Sequence, residues 1–232
     1  MIPLRDDQPR FSTPYLNYFL IVLNLVIFFF EAALDPHTLK SMLFQFGLIP
    51  SHVTALVAGT SHLNPIAVLI PFVSSMFLHG SWLHVGGNML FLWIFGDNIE
   101  DYLGHTKYLI FYLLCGVAAA AAQVALTPHS PVPTIGASGA IAGIMGAYFI
   151  LYPRARVLIW FPPIFFFHVT AWLMLGYWFF IQFVSGTATS ISYASNQGGV
   201  AFWAHVGGFI AGIIMIKIFS ERPQRQRYGA YS

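Results

Sequence analysis

Six apolar stretches, at roughly 15–34, 82–100, 107–126, 138–152, 163–184 and 200–219, fill most of this 232-residue chain. A helix needs about 20 such residues to cross a hydrocarbon core roughly 30 Å thick. Inside that core backbone groups have no water to bond, so the spanning structure must satisfy them internally. The expected fold is therefore an all-α membrane protein with six transmembrane helices. Composition agrees, since the chain is 57% hydrophobic and only 8% charged, against roughly 25% charged in a soluble domain. The first stretch does not read as a cleaved signal peptide. Phe28-Phe29-Phe30-Glu31 stands where small residues would mark a cleavage site, so it is expected to stay in the mature protein.

Charge is informative once mapped along the chain. Arg5 and Arg10 precede the first stretch, Lys107 lies between the second and third, and Arg154 and Arg156 lie between the fourth and fifth. Lys217, Arg222, Arg225 and Arg227 end the chain, which leaves only Lys40 on the other side. The positive-inside rule then puts both termini in the cytoplasm. A basic excess of this origin needs no nucleic-acid partner; the partners implied are the lipid bilayer and proteins within it. Cys115 is the single cysteine, so no internal disulfide is possible and the redox compartment stays open. No linker or internal repeat divides the chain. It is read as a cytoplasmic segment over 1–14, one membrane domain over 15–219 and a cytoplasmic tail over 220–232.

The connections differ in character. Residues 35–81 form a long outward loop rich in Leu, Phe, Val and Ile, expected to lie partly in the outer leaflet against the bundle; a seventh membrane segment, short or re-entrant, is the alternative. The loop at 127–137 carries Pro128, Pro131 and Pro133, which oppose helix and fix an irregular approach to Ser138. A third loop, 185–199, is rich in Ser, Thr and Gly and is expected to be the most mobile part of the outer face. The aromatics Phe165, Phe166, Phe167, Trp172 and Trp178 read as lipid-facing or interfacial.

With six spans and both ends inside, the second, fourth and sixth helices all begin at the outer face. His84 and Asn88 then share one face of the second, Ser138 starts the fourth, and His205 lies one turn into the sixth. A serine hydroxyl needs a base to become a nucleophile at neutral pH, and histidine is the side chain suited to that. Ser138 and His205 fit those roles. A helix N-terminus offers unpaired amides to an oxyanion, so the Ser138 amide, His84 and Asn88 are candidate donors. No acid stands obviously beside His205, which points to a Ser-His dyad whose imidazole is held by packing or neutral hydrogen bonds. Each residue also has a plainer reading. A lone membrane serine ordinarily bonds back to its own helix, His205 alone is a packing histidine, and His84 with Asn88 can form an interhelical clamp. His79 is a candidate supporting or water-access residue. Glycines at four-residue spacing, such as Gly139 with Gly143 and Gly208 with Gly212, read as helix-packing positions.

Taken together, Gly136-Ala137-Ser138-Gly139, His84-x-x-x-Asn88, His205 followed by Gly208-x-x-x-Gly212, and Gly96-x-x-x-Glu100-x-x-x-Gly104 resemble the rhomboid intramembrane serine proteases. The likeness runs from about residue 15 to 219. It implies a six-helix rhomboid core, Ser138 as nucleophile, His205 as general base, and His84 and Asn88 with the Ser138 amide as the oxyanion hole. Gly136 and Gly139 flank the nucleophile as supporting residues, and no metal or organic cofactor is implied. Two positions depart from the pattern. Residues 35–76 contain no Arg or Trp where many members carry a Trp-Arg pair, and Ala142 stands where some place a Tyr against the histidine.

The expected activity is cleavage of transmembrane protein substrates near their outward end, after local unwinding of the substrate helix. The fifth helix and the 185–199 loop are candidate moving parts. A non-catalytic, derlin-type client-binding protein is the alternative, and a transporter with a histidine path is a third. The compact core points to a bacterial inner membrane.

Overall fold

The computed structural model describes residues 2–191 and 200–220. Five of the six apolar stretches become helices with ends within three residues of those expected: α1 (Tyr15–Ala32), α6 (Trp82–Leu103), α7 (His105–Leu126), α8 (Ser138–Leu151) and α10 (Phe202–Phe219). Local chemistry sets the boundaries. α6 starts behind Ser81, whose hydroxyl accepts from the His84 amide, and stops at Gly104, whose φ of +77° suits glycine. The loop between α1 and α6 holds four short helices, α2 (Pro36–Phe46), α3 (Pro50–Val57), α4 (Pro65–Leu69) and α5 (Pro71–Ser74). Each begins with proline at its first position, where the missing N–H costs nothing.

The fifth stretch departs from expectation. Residues 163–170 are not helical: β2 (Arg156–Phe161) and β3 (Phe165–Thr170) pair antiparallel across Pro162 and Pro163, and α9 runs over Ala171–Ile191. β1 (Ile2–Asp6) adds to the other edge of β2, giving the order β1-β2-β3. The cause is local. Val157 and Ile159 are fully buried and alternate with residues that are not, a two-residue period, and the adjacent prolines deny a helix its donors. Phe161 and Phe165–Phe167 remain exposed on this hairpin. The 185–199 region is therefore helical to Ile191; residues 192–199, and the tail from 221 onward, lie outside the described residues.

The protein is mostly helical, and its apolar helices mark it as an integral membrane protein. By length and hydropathy α1, α7 and α10 can each cross a bilayer, and Pro65–Phe77 joined to α6 at 76° makes a fourth candidate. α8 is apolar but has 14 residues, about 21 Å at 1.5 Å per residue. Among the described residues these are three or four candidate spans where six were expected.

Packing centres on α8, which is buried from Gly139 to Tyr148. Gly208 and Gly212 of α10 press against the carbonyls of Gly139 and Gly143, and Gly146 against that of Phe209, so that no Cβ fits at any of the three. Small residues let the two backbones touch, as close helix pairs in membranes require.

The bundle has two distinct ends. At one, Glu100 on α6 accepts from the Leu16 and Asn17 amides at 3.0 and 2.6 Å, placing a carboxylate at the start of α1. Arg10 meets Asp97 at 3.4 Å, Ser12 meets Asp101 at 2.5 Å, and Tyr148 near the end of α8 bonds to Asp6 in β1. Tyr102 also meets Ser220, just past α10, at 2.5 Å. The sheet, the N-terminal segment and the ends of α6, α8 and α10 thus share one side. The starts of those three helices gather on the other.

Candidate active site

Ser138 reaches its position through a constrained approach. Leu48 and Thr134 exchange two backbone hydrogen bonds of 3.0 and 2.7 Å, which ties the proline-rich loop to the α2–α3 region. The Gly136 N–H then donates to the Ser75 carbonyl at 2.8 Å, and Gly136 has φ +118°, a conformation that L side chains rarely adopt. Ala137 is the residue before the helix and Ser138 its first member, so the Ser138 amide belongs to the first turn, whose N–H groups lack intrahelical partners.

His205 arrives from α10. The Gln123 carboxamide of α7 accepts from the Ala204 N–H at 3.0 Å and so holds the first turn of α10 in place. The two side chains then meet: Ser138 Oγ lies 2.7 Å from His205 Nε2. The other ring nitrogen, Nδ1, lies 2.8 Å from Gln182 Oε1 on α9. A carboxamide oxygen only accepts, so Nδ1 carries the proton and Nε2 keeps its lone pair for the serine hydroxyl. Trp178, one turn before Gln182, sets its ring 5.6 Å from the imidazole centroid. This corrects the expectation that Trp178 faces lipid: it lines the cavity beside His205.

His84 and Asn88 come together on the opposite wall. The Gly80 N–H donates to His84 Nδ1 at 3.4 Å, which leaves the His84 proton on Nε2. That nitrogen faces Gly136 so closely that a Cβ there would stand 2.6 Å from it. Asn88 Nδ2 is buried and has no hydrogen-bond partner among the described residues. Two donors thus face the Gly136–Ser138 turn, and one of them is unsatisfied, a costly arrangement unless a ligand oxygen takes it up. The walls enclose about 1010 Å³ lined by His84, Asn88, Ser138, Trp178 and His205.

The remaining expected residues lie close by but do different work. His79 is buried behind His84, with ring centroids 5.0 Å apart, and its backbone N–H donates to the Glu31 carboxylate at 3.1 Å. It backs the wall without lining the cavity. Gly139 faces Ala119 of α7, where a Cβ would come within 2.7 Å. Its place is in helix packing.

Gln182, Gln123 and Trp178 were not singled out from sequence as site residues. A signal existed for the two glutamines, since each is a lone carboxamide in a long apolar helix, and polar groups there face the bundle interior. Trp178 sits one turn before Gln182 and so shares its face. Chemically, the assembly can remove the Ser138 proton with a neutral imidazole and offer N–H groups to an oxygen bound beside it.

Comparison with known proteins places these features in context. The family model of the Rhomboid domain matches residues 67–222. The chain is 29% identical over 167 residues to "Rhomboid protein 1, mitochondrial" of Saccharomyces cerevisiae, covering 68% of this chain and 44% of that protein. It is 30% identical over 177 residues to the bovine "Presenilin-associated rhomboid-like protein, mitochondrial", covering 71% of this chain and 42% of that one. It is also 30% identical over 134 residues to "Rhomboid protease GluP" of Bacillus subtilis, 58% of this chain and 24% of that protein. The chain spans less than half the length of each of these relatives. Two of the three are mitochondrial by name, so kinship gives the expected bacterial inner membrane no support.

Proposed function

Since the chain belongs to the rhomboid family, we propose that it is an intramembrane serine endopeptidase that cuts transmembrane proteins near the outer membrane face with Ser138 and His205. The observation that carries this reading is the 2.7 Å contact between Ser138 Oγ and His205 Nε2, in a cavity that also presents His84 and Asn88. In this reading the six apolar helices α1, α6, α7, α8, α9 and α10 form the membrane core. Both termini lie in the cytoplasm, because Arg5, Arg10, Lys107, Arg154, Arg156 and Lys217 all belong to the end that carries the sheet.

The steps follow from the geometry. A substrate helix hides its carbonyls in hydrogen bonds, so it must first unwind locally to expose one. Ser138 Oγ attacks that carbonyl carbon while its proton passes to His205 Nε2. The resulting oxyanion accepts from His84 Nε2, Asn88 Nδ2 and the Ser138 amide. His205 then returns the proton to the leaving amine as the peptide C–N bond breaks, leaving an acyl ester on Ser138. Water, deprotonated by His205, releases the new carboxyl end and restores the serine.

The test is cleavage of a reconstituted single-span substrate by the full chain in proteoliposomes. Ser138→Ala is expected to abolish cleavage with the thermal transition nearly unchanged. Equal cleavage by parent and variant rejects the protease reading, and binding of the substrate helix without any cleavage by the parent favours a client-binding role.

A further inference from the structure

Among the described residues, His205 has no hydrogen bond to an acid of the kind that completes a Ser-His-Asp arrangement. Among the described residues, the polar group at its Nδ1 is the Gln182 carboxamide, at 2.8 Å. Ser138 and His205 ride on α8 and α10, whose backbones interlock through Gly139, Gly143, Gly208 and Gly212. Gln182 rides on α9, a helix outside that glycine seam, half of whose residues are exposed. The dyad is therefore built into the rigid pair, while the group that sets its tautomer comes from a third element.

Resting on the protease reading above, we propose that Gln182 is a positioning residue for His205: its carboxamide oxygen holds the Nδ1 proton, keeps Nε2 available to Ser138, and makes that readiness depend on α9 being seated. The chemistry is that of the third member of a triad performed by a neutral group. An unheld imidazole divides its proton between two nitrogens and rotates, and either change removes the lone pair from the serine. A carboxamide accepts this hydrogen bond without bringing a second ionisable group to the imidazole. Displacement of α9 withdraws the acceptor without separating Ser138 from His205. The groups facing His205 from the packed elements are Gln123 on α7, Ser138 on α8, Trp178 and Gln182 on α9, and His84 across the cavity on α6. Of these, His84 is the other histidine.

The test compares the full chain with Gln182→Met, which keeps length and volume without the amide, and Gln182→Glu, which keeps an acceptor. The readouts are the rate of labelling by a fluorophosphonate probe from pH 5 to 9 and the thermal transition in detergent. Gln182→Met should label at least about tenfold more slowly at an unchanged transition temperature. Gln182→Glu should recover most of the rate, with the acid limb of its profile moved to higher pH because a carboxylate also stabilises the imidazolium. Parent rate and profile in Gln182→Met overturn the proposal. So does a slow Gln182→Met that Gln182→Glu fails to rescue, since the loss is then one of packing. Absence of Ser138-dependent labelling in the parent is a different outcome, which removes the protease reading itself.

Discussion

Asn88 carries an unusual burden for a membrane asparagine. Its Nδ2 is buried without a hydrogen-bond partner among the described residues, yet it faces the turn that delivers Ser138. An oxyanion bound there satisfies it only as charge develops, which is the condition for accelerating a reaction rather than merely binding a substrate. Asn88→Ala should therefore lower kcat by about 10²-fold or more with a smaller change in KM, as removal of one such donor typically does. Steady-state cleavage of the reconstituted substrate checks this, and a rise in KM alone would contradict it. His205 must be neutral to accept the serine proton, so activity should fall as pH drops through the imidazole titration and stay level above it. A pH–rate profile that is flat into acid would count against His205 as the base. These four residues, Ser138, His205, His84 and Asn88, could be located from sequence because each stands near the start of an apolar stretch. Gln182 could not be assigned that way. A histidine paired with a catalytic serine is ordinarily held by a carboxylate, whereas the group at Nδ1 is a neutral amide whose distance from His205 in the chain gives no spacing clue.

Between α8 and α10, glycine does structural work that a larger residue cannot. Gly212→Val should be strongly destabilising, because even one Cβ would overlap the Gly143 backbone and backbone cannot yield as a side chain tip can. Gly86 in α6 is the contrasting case: exposed, helical and with nothing within 4 Å of a built Cβ. Gly86→Ala should raise stability by about 0.8 kcal/mol through helix propensity alone. Thermal unfolding of both variants in the same detergent separates the two kinds of glycine, and equal effects would refute the packing argument. Spacing made the α8–α10 seam readable from sequence, since small residues four apart have few other uses in apolar helices. The fifth stretch differs from its expected helix for the opposite reason. An unbroken apolar and aromatic run has no period that distinguishes helix from strand, so it does not show that Phe165–Thr170 pairs with β2 across Pro162 and Pro163 instead of extending α9.

The molecule separates a polar, sheet-bearing end from the end that holds Ser138 and His205, and the two should respond to pH independently. Asp6, in β1 and outside the spanning helices, has its pKa raised from 3.8 to about 6, chiefly by burial, with the Tyr148 hydroxyl working against the shift. A raised carboxyl pKa means that the folded state holds its proton longer than the unfolded chain does. Its stabilising contribution is complete below the unfolded value and is lost as pH rises through about 6. Asp6→Asn should remove that dependence, so the parent's advantage over the variant should be larger at pH 4 than at pH 7 in thermal unfolding. An equal difference at both pH values would show that Asp6 does not titrate this way. Neither change should alter the chemistry of Ser138 at the far end. That chemistry is open to a direct check with no knowledge of the natural substrate: a fluorophosphonate probe applied to the full chain in proteoliposomes, with the modified residue found by peptide mapping. The expected result is a single adduct on Ser138, absent in Ser138→Ala and greatly slowed in His205→Ala; an unlabelled parent, or labelling that survives in Ser138→Ala, would contradict the nucleophilic role on which the proposed protease rests.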